Sequence, residues 1–236
     1  MEQDEKLDHL LERNARDIAA WVEIINEMHP RYLSREKPEN DESDPLYALS
    51  GVLGKISDLF LRYGSFKDTF DKSRMYVNIE GPSLIIVSSK TGMKFDFGMD
   101  RNSIYLHCSL QEAQNLRHMA DDFYRDILLL ESLGTFNVSE YEGYSFKDRE
   151  AFTEVFANNT SNVFKIFRQY FAAVSMSDFS MLGTFEISWT TETGFYDIVK
   201  NSCIAFKTLY KLNYSLWKIS DLKTKSADKK KNTKGI

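Results

Sequence analysis

Apolar side chains recur every three or four residues in the first part of the chain. Between residues 4 and 29 they alternate at intervals of four and three, and Asn14 takes the one place where an apolar residue is missing. A stripe this narrow is typical of a helix that packs against a single neighbour. Because Pro30 has no N–H to donate within a helix, we predict that this helix ends there.

A second stripe with the same spacing runs from Leu46 to Tyr63. Asp44 and Pro45 precede it with a capping side chain and a first-turn proline, and Gly64 predicts its end. We predict that residues 1–70 form an antiparallel helical hairpin. The two stripes either pack on each other or pair with another chain, which would make the hairpin an association element. The contact residues predicted from the first stripe are Leu7, Leu11, Trp21 and Ile25.

The period of the apolar positions changes to two residues after Arg74, which is typical of strands. Short turns rich in glycine, asparagine and aspartate separate the strands, so that neighbours must be antiparallel. The predicted four-stranded meander covers residues 75–79, 84–87, 93–97 and 103–108. Residues 183–189 alternate in the same way and predict a fifth strand.

The remaining apolar positions return to the helical period. Ser109 and Glu112 have the spacing of a capping box, so we predict a helix from there to Leu133. Further helices are predicted over about 146–175 and 195–219. Separate runs of strands and helices indicate an α+β fold, with long helices packed on one face of an antiparallel sheet. We therefore predict the helical hairpin over 1–70, an α+β domain over 71–219, and a disordered tail over 220–236.

Composition and the start of the chain limit the class of protein. Of 236 residues, 42% are hydrophobic, which excludes a disordered chain. Two cysteines, Cys108 and Cys203, are too few for a disulfide scaffold or a cysteine-rich zinc site, and we predict buried thiols. The chain starts with polar and acidic residues, and no apolar run approaches about 20 residues. We expect a cytoplasmic protein with no membrane contact.

Charge is distributed unevenly along the chain. The net charge of −5 is the sum of −7 within residues 1–45, −3 within residues 46–217 and +5 within residues 218–236. A lysine-rich tail can neutralise phosphates and bind nucleic acid without reading its sequence. The candidate contacts are Lys229, Lys230 and Lys231. A nucleic-acid-associated accessory protein is therefore one alternative function, and a frayed, solubilising terminus explains the same lysines without a ligand.

The strongest candidate for catalysis lies on the helix predicted to end at Leu133. His118, Asp121 and Asp122 would share one face of it, because they are three and four residues apart. A histidine oriented by a carboxylate is the start of a general base, and the same side chains can bind a metal ion. A metal-assisted hydrolase or nuclease is thus a second alternative. A solvated face with ion pairs explains these residues equally, and with no cofactor motif in the sequence we predict no cofactor.

Aromatic residues are abundant, with 17 phenylalanines and 12 tyrosines. Many of them lie in the helical second half of the chain, where Tyr144 and Tyr170 are candidate contact residues. Aromatic side chains are favoured at protein interfaces, since they bury a large area, although they also build cores. Narrow helical stripes, excess aromatics and the lack of convergent reactive residues favour a non-enzymatic accessory or adaptor protein. It would act as a subunit of a complex or as a self-associating module.

Overall fold

Helices and an antiparallel sheet make up the described parts of the chain. The computed structural model describes residues 2–34, 44–139, 161–175, 181–190 and 192–233. The helices are α1 (Glu2–Arg13), α2 (Ala15–Ser34), α3 (Pro45–Gly64), a short 3-10 helix (Ala113–His118), α4 (Asp121–Leu133), α5 (Asn162–Ser175) and α6 (Phe195–Thr233). The strands are β1 (Phe70–Val77), β2 (Pro82–Ser88), β3 (Lys94–Met99), β4 (Ser103–Leu110), β5 (Thr135–Ser139) and β6 (Gly183–Thr190).

The six strands form one antiparallel sheet in the order β1-β2-β3-β4-β6-β5. This confirms the predicted α+β class and meander, with one strand more than the sequence predicted. The additional strand is β5, which lies in a segment for which the sequence predicted neither a helix nor a strand. It has only five residues and pairs with β6, which lies far downstream, so that nothing local identifies it as a strand.

The hydrophobic core lies between the sheet and helices α3 and α6. We call the face of the sheet that they cover the inner face. Phe60 of α3 lies between Phe97 of β3 and Phe206 of α6, with ring centroids 4.9 and 5.1 Å away. Buried residues of all three layers belong to one continuous cluster, which also includes Leu7 and Leu11 of α1. The hydrophobic core therefore includes residues on both sides of residue 70, where the boundary between the helical hairpin and the α+β domain was predicted. That domain boundary stays a prediction.

Two features of the N-terminal helices differ from the prediction. The helix predicted over 4–29 is interrupted at Asn14, whose side chain turns back to donate a 2.6 Å hydrogen bond to the carbonyl of Leu10. The helix end predicted at Pro30 is wrong, because α2 continues to Ser34. Tyr32 is buried in this last turn and donates a 2.5 Å hydrogen bond to the carbonyl of Asn78, which anchors the turn despite the proline.

The helix predicted to begin at Ser109 is also wrong. Ser109 and Leu110 end β4, where they pair with Thr184 and Gly183 of β6. Glu112 then adopts a left-handed conformation with φ 62°, and its carboxylate accepts a 2.7 Å hydrogen bond from Ser220 of α6. Sheet pairing and this tertiary contact override the local capping pattern, and regular α-helix starts only at Asp121.

The last helix extends further than predicted. The backbone of α6 is helical to Thr233, beyond the end predicted at residue 219 and through most of the tail predicted to be disordered. Asn115 holds this extension from the 3-10 helix by donating to the carbonyl of Leu216 at 3.0 Å and to Ser220 Oγ at 2.7 Å. In the described ranges we find no helix with enough apolar length to span a bilayer.

Candidate functional site

The three candidate catalytic residues do not share a helix face. His118 ends the 3-10 helix, Met119 and Ala120 are extended, and Asp121 and Asp122 begin α4. His118 Nε2 accepts a 3.2 Å hydrogen bond from Arg117, and Asp122 pairs with Arg125 at 2.9 Å. Asp121 and Asp122 also lie in the first turn of α4, where carboxylates interact favourably with the helix dipole. Local pairing with arginines and the helix dipole thus account for the positions of these side chains.

The described residues contain no group of three or more histidine, cysteine, aspartate or glutamate side chains placed to hold a metal ion. Cys108 and Cys203 are buried thiols, and burial raises the pKa of both above its ordinary range. Such thiols are poor nucleophiles and poor metal ligands. The hydrolase alternative therefore stays a prediction that no arrangement of described side chains supports.

The predicted contact residues of the N-terminal stripe contribute mainly to the core. Leu7, Leu11 and Trp21 are at most 5% exposed. The stripe is covered within the chain, chiefly by α3, so these three side chains present no surface to another chain in this conformation. Ile25 is half-buried and lines a cleft of about 270 Å³ together with Ile104 and Trp189.

An exposed apolar stripe runs along α5 instead. Its members are Phe164, Phe167, Phe171 and Val174, at intervals of three, four and three, and their exposed fractions are 46%, 36%, 63% and 56%. The opposite side of α5 buries Ile166 and Gln169 against the rest of the protein. Tyr170, the predicted contact residue, is half-buried at the margin, with its ring centroid 5.5 Å from that of Phe171.

The stripe continues onto α4. The rings of Tyr124 and Phe167 stack with centroids 6.3 Å apart, and Leu128, one helical turn after Tyr124, is 54% exposed. We call the set of Leu128, Phe164, Phe167, Phe171 and Val174 the aromatic surface. A contiguous exposed apolar patch of this kind is typical of a protein–protein contact site.

The two helices of the aromatic surface differ in charge. On α4, Asp121, Tyr124, Leu128 and Glu131 follow one another at intervals of three and four, so that acidic residues flank the apolar ones. On α5 the charged residues are Lys165 and Arg168, and its sequence contains no acidic residue. Lys165 donates a 2.6 Å hydrogen bond to Asn137 of β5, away from the exposed row, so the row is flanked by the acidic residues of α4 and by Arg168 of α5.

Two further predicted sites fall wholly or partly outside the described residues. Tyr144 lies between the described ranges 44–139 and 161–175. Lys229, Lys230 and Lys231 lie on the helical backbone of α6, but their side chains are outside the description. Both predictions stay predictions.

An ionic cluster occupies the outer face of the sheet, opposite α3 and α6. His107 of β4 lies between Asp96 of β3, 3.3 Å from its Nε2, and Glu186 of β6, 3.9 Å from its Nδ1. Partial burial alone would lower the pKa of His107, but these two carboxylates outweigh it and raise the pKa to about 9. The imidazole is thus a cation at neutral pH. A charged imidazole cannot accept a proton, so this cluster joins three strands rather than supplying a general base.

Comparison with known proteins gives no functional information on this chain. Models of protein families, curated proteins and solved structures yield no match to this chain. The function must therefore be inferred from the surfaces described above.

Sequence reasoning missed the aromatic surface, because it named Tyr170 as the contact residue of this helix and did not name Phe164, Phe167, Phe171 or Val174. The spacing of the apolar residues on α5 nevertheless indicates this surface. Phe164, Phe167, Phe171 and Val174 form one regular stripe, and Val163, Ile166 and Tyr170 form another. When a helix has two apolar stripes, a single packed neighbour covers only one of them and leaves the other exposed.

Proposed function

We propose that this protein is non-enzymatic and acts through protein–protein contacts, as a self-associating module whose aromatic surface binds a second copy of the chain. The single observation that carries the proposal is the exposure of Phe164, Phe167, Phe171 and Val174 along α5. Water-exposed phenylalanines in a contiguous row are unfavourable unless a partner covers them.

The charges flanking this row support a second copy as the partner. In a twofold dimer one patch meets its own copy, and an axis that runs between α4 and α5 places α4 of one protomer against α5 of the other. Asp121 and Glu131 of α4 would then approach Arg168 of the partner chain. Two copies of a surface with one sign of charge would repel each other, whereas acidic residues on one helix and an arginine on the other make the surface complementary to itself.

Light scattering coupled to size exclusion tests the proposal across a hundredfold range of protein concentration. We expect a mass that rises from monomer to dimer. Phe171→Glu places a charge in the centre of the contact and should keep the protein monomeric, because an unpaired carboxylate would have to be buried on association. Ile79→Glu is the matched control, since Ile79 is 88% exposed and lies outside the aromatic surface.

A second pair of variants tests whether complementary charges hold the two copies together. Glu131→Lys should weaken the dimer, while Glu192→Lys, also at an exposed position, should leave it unchanged. A full-length protein that stays monomeric at the highest concentration would rule out self-association. Dissociation by Ile79→Glu but not by Phe171→Glu would move the contact to the edge of the sheet at β1 and contradict the assignment to α5.

A further inference from the structure

One edge of the sheet is open in the described part of the chain. β1 is the first strand in the sheet order, so it pairs with β2 on one side and with no strand on the other. The row of N–H and C=O groups that an edge strand presents is a template for pairing with another chain. No residue of β1 belongs to the aromatic surface, so this edge is a separate feature of the molecule.

The first half of β1 carries features that protect an edge strand from pairing. Its register with β2 shifts between Asp71 and Arg74, and such a bulge interrupts the regular backbone pattern. Within this bulge, the ammonium group of Lys72 binds the carboxylate of Asp58 and the hydroxyl of Ser57 on α3. Bulges and charged side chains are devices by which natural proteins prevent association between sheet edges.

The second half of β1, from Arg74 to Val77, is regular and mostly apolar. Its four residues pair with β2 without a shift in register, and all four are exposed. In the described ranges, no hydrogen bond from outside the sheet reaches the backbone of this segment. In an antiparallel pair, alternate residues direct both backbone groups away from the partner strand. Two of the four residues therefore offer an N–H and a C=O to a further strand.

Helix α2 limits the open edge after Val77. The carbonyl of Asn78 accepts the hydrogen bond from Tyr32, and His29 Nε2 lies 3.0 Å from the carbonyl of Glu80. With the bulge on one side and α2 on the other, the open segment is limited to Arg74–Val77, which spans roughly 13 Å of extended chain. A segment of this length suits a short linear peptide.

The inner side of the open segment is apolar. Met75 pairs with the buried Leu84, and Val77 shares its side of the strand. Ser50 of α3 donates a hydrogen bond to the sulfur of Met75, and Tyr47 lies on the same face of α3, three residues earlier. Met75, Val77 and Tyr47 are 42%, 46% and 55% exposed. They form an apolar shelf beside the free backbone groups.

The outer side of the open segment carries a cation. Arg74 is exposed, and its guanidinium forms no hydrogen bond or ion pair with the described residues. Hydrogen bonds from Ser73, and then the charge of Arg74, lower the pKa of Asp71, but the two side chains do not form an ion pair. A carboxylate is the partner that a guanidinium binds best. A second copy of this segment brings none, because positions 74–77 contain no acidic residue.

We propose that β1 binds a short extended peptide of a partner protein, which pairs with Arg74–Val77 as a seventh strand and places an acidic side chain against Arg74. Main-chain hydrogen bonds hold such a strand, and its alternate side chains give specificity. Because side chains alternate between the two sides of a strand, the peptide has apolar residues next to the acidic one, and these cover Met75 and Val77. This contact is independent of self-association through the aromatic surface.

Fluorescence anisotropy tests the proposal with two labelled seven-residue peptides, in which valine alternates with glutamate or with lysine. The titrations are made at about 0.15 M salt, where long-range attraction is screened. We expect the glutamate peptide to bind about fivefold more tightly than the lysine peptide, as for one exposed ion pair. The net charge of −5 of the chain favours the opposite order, so overall charge cannot produce this result.

Matched variants locate the contact. Arg74→Glu should reverse the order of the two peptides, whereas Arg101→Glu, at an exposed position in the turn between β3 and β4, should leave it unchanged. A glutamate peptide with proline at its centre should bind more weakly, because it lacks one N–H for the new ladder. Phe171→Glu should bind the glutamate peptide as tightly as the wild type does, which separates this contact from the aromatic surface.

Hydrogen exchange places the peptide on the chain. The glutamate peptide should slow amide exchange in Arg74–Val77 and leave α5 unchanged. Equal affinities of the two peptides, an order that Arg74→Glu does not reverse, or no binding at millimolar concentration would each overturn the proposal. Exchange in β1 that slows with protein concentration alone, in the absence of peptide, would assign the edge to a second copy and overturn it as well.

Discussion

Helices α3 and α5 carry apolar residues at the same three- and four-residue intervals, but only α3 buries them. Phe60 of α3 is fully buried, whereas Phe171 of α5 is 63% exposed. The difference lies in what faces each helix. α3 packs on the inner face of the sheet beside α6, while α5 packs through its other side on the 3-10 helix and β5. An apolar period establishes that residues share a face, and only the tertiary neighbours determine whether that face is covered.

The same substitution in both helices gives the largest expected effect. Phe60→Ala should lower the free energy of unfolding by about 3–5 kcal/mol, because it removes a fully buried ring and leaves a cavity. Phe171→Ala should change it by less than about 0.5 kcal/mol, because the ring is mostly in water. Urea denaturation at protein concentrations low enough to keep the chain monomeric measures both. Similar losses in the two variants would mean that Phe171 is covered within the chain.

The second largest loss of stability is expected where α5 attaches to β5. Asn162 is buried at the start of α5, accepts a 3.0 Å hydrogen bond from the backbone N–H of Val138 and donates a 2.9 Å bond to the carbonyl of Phe136. Asn162→Ala should cost about 1–3 kcal/mol, since two backbone groups of β5 lose their partner. Ser139→Ala, at an exposed position of the same strand, is the control. Hydrogen exchange should accelerate in α5 and β5 of the first variant and stay slow in α3.

A smaller loss of stability is expected from a substitution at the start of α3. Asp44 caps this helix by accepting a 2.8 Å hydrogen bond from the backbone N–H of Leu46. Asp44→Ala should lower the free energy of unfolding by about 1 kcal/mol, as for other capping residues. Asp44→Asn keeps an acceptor at the same place and should recover most of the loss in the same urea titration. If the asparagine variant is as unstable as the alanine variant, capping is not what Asp44 contributes.

Local signals predicted the elements that local interactions determine. The cap at Asp44, the proline after it and the glycine at residue 64 delimit α3 as predicted, and short turns define β2, β3 and β4. The failures share one cause, because each depends on a distant partner. β5 exists through pairing with β6, α2 continues past Pro30 because Tyr32 is anchored at Asn78, and the pattern at Ser109 yields to β4.

The same distinction between local signals and distant partners applies to the candidate sites. Leu7, Leu11 and Trp21 were recognisable as one stripe, but their burial depends on α3. The aromatic surface needed the knowledge of which side of α5 faces the 3-10 helix.

The two faces of the sheet can be compared in the same way as the two helices. A substitution on the outer face should have the smallest effect on stability. Here the period of two places alternate residues of each strand on opposite faces, and the outer row holds the cluster of Asp96, His107 and Glu186. The pKa of His107 is about 9 in the folded protein and about 6.5 in an unfolded chain. Protonated His107 therefore stabilises the fold fully below pH 6.5, and this contribution is lost as the pH rises through 9.

Because about a third of the His107 side chain is exposed, solvent screening should limit the contribution to less than about 1 kcal/mol. Urea titrations at pH 6 and pH 9.5 isolate it when the wild-type protein is compared with His107→Gln, since every other titrating group is common to both. We expect the wild type to be the more stable of the two at pH 6 and the difference to shrink at pH 9.5. His118→Gln, which replaces an exposed histidine that accepts a hydrogen bond from Arg117, is the control for the substitution itself. A difference that is equal at both pH values would mean that His107 is held by packing against Tyr105, whose ring stacks on it at 5.4 Å, rather than by the two carboxylates.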